Sequence, residues 1–170
     1  MRAKTKGERR TPTVLSELDV QTTFSYTPTI LVIHPKENRV KCSLEPLRGR
    51  GDLRFVAYSA KQIMDLADYV RLSVEGPPLT AADADQGILL IDGSWRHAAR
   101  MHQHFAAVPP RSLSGFRTAY PRVSKLFDDP PAGLASVEAL FIAYGILGRP
   151  TAQLLDGYHW RDEFLRLNGW

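Results

Sequence analysis

Gly87-Ile88-Leu89-Leu90-Ile91-Asp92-Gly93-Ser94-Trp95-Arg96-His97-Ala98-Ala99-Arg100-Met101 is the most informative segment of the chain. Consecutive aliphatic residues without alternation, Ile88 to Ile91, read as a strand buried on both faces, as in a parallel sheet. The run stops at an acid and a glycine. Ser94 then stands where a helix N-cap is expected, ahead of a helix-forming stretch. Strand, tight turn and helix N-terminus in that order build the crevice where open α/β sheets bind ligands. Asp92, Ser94 and Trp95 bring a carboxylate, a hydroxyl and an aromatic face to that crevice, which marks a candidate cofactor site.

Upstream, Thr29 to Ile33 reads as a first buried strand, closed by His34-Pro35 because proline cannot continue the ladder. Leu53 to Tyr58 reads as a second. Ile63, Leu66, Ala67 and Val70 fall at i, i+3, i+4 and i+7 and predict a helix, which Glu75-Gly76-Pro77-Pro78 breaks. Downstream, Pro109-Pro110 is expected to end the helix that Trp95 begins, and residues 111–127 are irregular and basic with room for one short strand. Asp128-Asp129-Pro130-Pro131-Ala132-Gly133 reads as a turn. Ser136 to Leu147 is apolar almost all round and predicts a buried helix. Tyr158 to Leu167 predicts a last helix with Trp160, Phe164 and Leu167 on one face. Strands alternating with helices predict a single α/β domain over 25–170, a mostly parallel sheet flanked by helices, after a basic flexible arm at 1–24.

Length and composition narrow the classes. A chain of 170 residues, 44% hydrophobic and 24% charged, suits one globular domain. No apolar run reaches the roughly 18 residues of a membrane span, and Met1 to Arg10 carries no apolar signal core, so a cytoplasmic protein is expected. One cysteine, Cys42, excludes an internal disulfide and any multi-cysteine zinc site. His97 and His104 share a helix face, but His102 points away and no carboxylate completes a set, so no metal is expected. A net charge of +4 and a pI of about 9.4 permit a nucleic-acid partner and equally a solvated basic face.

Four patches carry chemistry: His34-Pro35-Lys36-Glu37 with Lys41-Cys42-Ser43, the Asp92 to Trp95 turn, Tyr120-Pro121-Arg122 with Lys125, and Leu134-Ala135-Ser136-Val137-Glu138-Ala139. In this order, with Ala98 and Met101 after the tryptophan, they resemble DTW-domain proteins and the related archaeal and eukaryotic ribosomal-RNA aminocarboxypropyltransferases. The resemblance spans roughly residues 29–168. It differs in two places: the zinc-type cysteines near the start of many DTW proteins are missing, and Gly93 stands where cysteine or threonine is usual.

The resemblance implies a knotted SPOUT-like fold that binds S-adenosylmethionine and acts as a monomer. Such proteins transfer the 3-amino-3-carboxypropyl group to a uridine in structured RNA, tRNA or rRNA, and release methylthioadenosine. It assigns cofactor contacts to Ser43, Ser59, Ile91, Ser94, Trp95, Ser136 and Glu138, and RNA contacts to His34, Lys36, Arg117, Arg122 and Lys125. Asp92 is the candidate to take the proton from uridine N3. Trp95 would face the sulfonium by a cation–π contact.

Plainer readings stand beside these. Asp92 sits where helix N-caps occur, Trp95 suits an amphipathic core position, and Glu138 in a first helical turn would be favoured by the helix dipole. Arg117, Arg122, Lys125 and the arm's Arg2, Lys4, Lys6, Arg9 and Arg10 would serve equally on a solvated face. Two other functions fit the same motifs: a non-catalytic RNA-binding ribosome-assembly factor, and a SPOUT-type RNA methyltransferase. The by-product separates the enzymes, since methyl transfer leaves S-adenosylhomocysteine. A serine hydrolase is disfavoured because Gly93-Ser94-Trp95 lacks the G-x-S-x-G elbow.

Overall fold

In the computed structural model the described residues are 24–121 and 133–170. The arm expected at 1–24, apart from Phe24, and the turn at 128–133, apart from Gly133, therefore lie outside them. Strands β1 (Thr29–Ile33), β2 (Leu53–Ala57), β3 (Tyr69–Leu72), β4 (Gly87–Asp92) and β5 (Pro110–Arg111) form one sheet. Helices α1 (Trp95–His104), α2 (Ser136–Ile146) and α3 (Arg161–Asn168) cover it. The strand order is β2-β1-β4-β3-β5, and every pairing is parallel. This is the single α/β domain with a parallel sheet that the alternating pattern predicted.

Alternation along the strands divides two cores, because successive side chains point to opposite faces. Leu31, Val70, Leu72, Ile88 and Leu90 face one side, where they pack with Leu140, Tyr144 and Phe164 from α2 and α3. Ile30, Val32, Tyr69 and Leu89 face the other and pack with Met101, Phe105 and Val108 at and beyond α1. With both faces covered, the central strands need apolar residues at every position, which is why β4 reads as a run. Among the described residues no helix is long and apolar enough to cross a membrane.

One element differs from its sequence pattern. Ile63 to Val70 forms no helix: residues 62–66 are irregular, Ile63 is 96% exposed, and Val70 lies at 0% exposure inside β3. The apparent stripe joins a solvent residue to a strand residue. Tyr69 to Leu72 gains pairing on both edges, to β4 and β5, and buries all four of its side chains. The Asp65 side chain meanwhile accepts the Ala67 N–H at 3.3 Å, a local turn bond that competes with helix. The end of α1 also falls earlier than Pro109. Pro110 instead opens β5, an edge strand, where a missing N–H is tolerated.

Gly87 starts β4 against the ring of Tyr69, and a Cβ there would collide with that ring. Tyr69 cannot swing freely, since its hydroxyl donates to the Pro28 carbonyl at 3.1 Å. Gly87→Ala should therefore destabilise the fold by about 1–3 kcal/mol, the usual cost of overpacking. Urea unfolding is the check. A loss below about 0.5 kcal/mol would show that the ring can shift without cost.

Candidate active site

The loops after β1, β3, β4 and β5 and the first turn of α2 enclose a cavity of about 480 Å³ at the carboxyl end of the sheet. Its walls are mixed. Leu72, Val74, Leu90, Leu113, Leu134 and Ala139 supply apolar surface, while Ser43, Asp92, Ser94, Ser114 and Ser136 supply hydroxyls and a carboxylate.

Asp92 lines this cavity together with two other charged residues, Glu37 and Lys41. Register with Ile33 fixes the Asp92 backbone, and its carbonyl accepts the His34 N–H at 2.9 Å. Its side chain turns away from α1. Oδ1 accepts from the Ser136 hydroxyl at 2.5 Å and Oδ2 from the Cys42 thiol at 3.3 Å. Ser94 holds the N-cap position of α1, and Ser94 and Glu37 bond nearby groups instead: the Ser94 N–H donates to Glu37 Oε1 at 2.7 Å, and the Ser94 hydroxyl meets His97 Nδ1 at 3.0 Å. The capping explanation for Asp92 thus fails on geometry. Burial raises the Asp92 pKa, and the negative charge of Glu37 adds to the rise. The hydrogen bonds from Ser136 and Cys42 oppose it.

The neighbours are set in their neutral forms. Burial, then the Asp92 charge, pushes the Cys42 thiol up to about 11, so it stays a donor at neutral pH. His102 lines the opposite wall; burial, then the Arg71 guanidinium, pushes it down to about 4. Its Nδ1 faces that guanidinium, which places the proton of the neutral ring on Nε2.

Folding with a parallel sheet and a cavity at its carboxyl edge points to known proteins. The structure is similar to that of the SAM-dependent rRNA:acp-transferase Tsr3 from Vulcanisaeta distributa. The TM-score is 0.63, with 24% sequence identity over 84% of this chain and 79% of that one. At that identity the likeness is one of fold. No protein-family profile matches the chain, and no curated protein matches it by sequence.

The residues singled out in the sequence take several positions. Ser43, Ile91, Asp92, Ser94 and Ser136 line the one cavity. Ser43 also accepts the Val137 N–H at 3.3 Å and so satisfies a free donor in the first turn of α2. Trp95 is the first residue of α1. Ser59 lies past the end of the outer strand β2 and is not in the lining. Glu138 is fully buried and also not in the lining; it bonds Thr118, Ala119, Ala135 and Tyr158. Lys36 is exposed beside the cavity. Arg117 is exposed, with its backbone held by the Asn168 side chain at 2.8 and 2.9 Å. Arg122 and Lys125 lie outside the described residues.

His34 lies on the far side of Gly93, its ring stacked on His97 at 3.8 Å and 8°. With Glu37 these two histidines bring ligating atoms within 4.8 Å of one another, a group able to hold a metal ion. The expectation of no metal weighed His97 only against His102 and His104, and missed this pairing across the sheet. In-plane lone pairs of parallel rings do not converge, so one ring would have to rotate to share an ion. His102 and Leu113 fall in none of the four patches, and Cys42 and Leu134 fall in two of them without an assigned role. Cys42 had a signal in the Lys41-Cys42-Ser43 string; His102, one turn beyond Ala98 on α1, had only its helical phase.

Proposed function

We propose that the chain transfers the 3-amino-3-carboxypropyl group of S-adenosylmethionine to a uridine in structured RNA, releasing methylthioadenosine. The observation that carries this reading is the Asp92 carboxylate, half-buried in the cavity and held between Ser136 and Cys42. The cavity fits the cofactor: about 480 Å³ lies within the usual range for such ligands, and mostly apolar walls with a few fixed polar groups suit a nucleoside carrying a zwitterionic arm. Leu113 and Leu134 would flank the purine, and Ser43 and Ser136 would hold the polar arm. When bound, S-adenosylmethionine supplies a carbon made electrophilic by its sulfonium, and a neutral thioether leaving group.

The protein's part is orientation and proton removal. The walls fix which sulfonium carbon meets the nucleophile, and positioning of two reactants supplies much of the rate. Asp92 accepts the imide proton from uridine N3 as the N–C bond forms. Its raised pKa makes it a stronger base than an exposed carboxylate. The neutral Cys42 and His102 add no competing charge. Trp95 as a cofactor contact, the SPOUT-type knot and the choice between tRNA and rRNA belong to this reading through the family resemblance. A single domain over 25–170 that acts as a soluble monomer belongs to it as well.

Calorimetric titration should give one-to-one cofactor binding that EDTA leaves unchanged. Carboxyl-labelled cofactor should then label RNA and yield methylthioadenosine. S-adenosylhomocysteine as by-product would make the protein a methyltransferase. RNA binding without label would make it an assembly factor. Cofactor binding lost in EDTA would tie the cavity to a metal at His34, Glu37 and His97.

A further inference from the structure

A second cavity adjoins the first. It measures about 490 Å³ and shares Lys41, Cys42, Ser43 and Tyr120 with its neighbour. The segment 41–43 is thus a common wall, with Asp92 bonded to Cys42 from the other side. We infer that this second cavity holds the nucleotide next to the acceptor: a base of single-stranded RNA stacks between the aromatic residues that line it while its phosphates meet Arg39 and Lys41. The inference rests on the transfer reading above and names where its RNA enters.

Three observations support it. The lining is aromatic: Trp160 is half-buried, Tyr120 is 46% exposed, and His159 meets Trp160 edge-on at 4.9 Å and 90°. Bases of any identity stack on such rings. The charge is also right. Glu45 is the acid in the lining, and Arg39 and Arg48 both bond it, at 2.5 and 2.8 Å. Lys41 is exposed and has no ion pair among the described residues, so the rim keeps an excess of positive charge. Finally the wall is built to a fixed width. At Gly157 a Cβ would come within 2.7 Å of Pro46, so a glycine there lets the two sides close together. A base held here would lie across the 41–43 wall from Asp92, so that the neighbouring uridine of the same strand enters the first cavity.

The probe is a fluorescein-labelled RNA hairpin with a uridine-rich loop, followed by anisotropy without cofactor; calorimetry with S-adenosylmethionine runs in parallel. Trp160→Leu keeps an apolar side chain on the core but removes the ring, and should weaken RNA binding about 5- to 100-fold. Lys41→Gln, at an exposed position, should lower the log–log salt slope by about 0.7. Trp160→Leu, outside the first cavity, should bind cofactor like the parent. RNA affinity and salt slope unchanged in both would overturn the assignment, while intact cofactor binding would leave the transfer reading standing. Competition by oligoglutamate as effective as by unlabelled hairpin would also overturn it, since charge alone would then explain the site. A parent that binds the hairpin through these residues but not the cofactor would instead sink the transfer reading and keep the groove.

Discussion

Asp92→Asn should slow aminocarboxypropyl transfer by about 10²- to 10⁴-fold, the range typical of a lost general base, while the protein stays folded and binds cofactor. The substitution is close to isosteric. Ser136 and Cys42 each carry a group that can donate or accept, so either can turn to meet an amide. Stability should not fall. Because burial raises the Asp92 pKa, the folded state holds the proton more tightly than the unfolded chain. Stability from this group is therefore full below the ordinary carboxylate value and is lost as pH rises through the raised folded value. At neutral pH asparagine removes that penalty, so the variant should be as stable as the parent or slightly more so. The parent's rate should rise with pH through a value above the ordinary aspartate pKa of about 3.9. Ser136→Ala and Cys42→Ala each remove a bond that holds the pKa down, so both should move this acid limb to higher pH. Single-turnover measurement at saturating cofactor isolates the chemical step. A parent-like rate in Asp92→Asn would reduce the residue to a structural one.

The parts of the fold that could be read from sequence are those whose neighbours are local or whose burial is complete. Ile88 to Ile91 has apolar partners on both faces, so its run admits only a central strand. Beyond its first turn Ser136 to Ile146 is apolar almost all round, and Val137, Leu140, Ile142, Ala143 and Tyr144 are buried. The Ile63 to Val70 pattern misled because periodicity records which residues are apolar, not which environment each enters; Ile63 goes to solvent and Val70 to the sheet. The site divides in the same way. Asp92 and Ser94 share one turn, so their neighbourhood was visible. The bonds from Cys42 and Ser136 to Asp92 join residues 50 and 44 positions away, and no spacing within one element encodes them. Glu138 looked like a first-turn acid, and the dipole argument for that position was sufficient. Only the tertiary arrangement of Thr118, Ala119 and Tyr158 around it shows a buried anchor outside the cavity lining.

Glu138→Ala should cost about 3–5 kcal/mol of folding free energy, the scale for breaking a buried, fully bonded charge network. The carboxylate is wholly buried and each oxygen takes one backbone N–H and one hydroxyl. Oε2 accepts from Ala135 N–H at 2.8 Å and from Thr118 at 2.7 Å; Oε1 accepts from Ala119 N–H at 2.9 Å and from Tyr158 at 2.9 Å. Burial, then the Glu138 charge, raises the Tyr158 pKa, so the phenol remains a donor at every pH of interest. In the alanine variant the two hydroxyls can turn to other partners, but the two N–H groups cannot, and each buried orphan costs about 1–3 kcal/mol. Glu138→Gln makes a sharper comparison. Its amide nitrogen must face one of the two donor pairs, where the hydroxyl can reverse and the N–H cannot, so the loss should be about half as large. The damage should also be local. Glu138 ties the segment carrying Tyr120 to the first turn of α2, which carries Ser136, and so sets the spacing of the two cavities. Hydrogen exchange at Ala119 and Ala135 should accelerate before the sheet does. Urea unfolding at constant pH gives the free energies. A Glu138→Ala loss under about 1 kcal/mol would mean that water replaces the carboxylate without penalty, and the two cavities would then be held in place by other contacts.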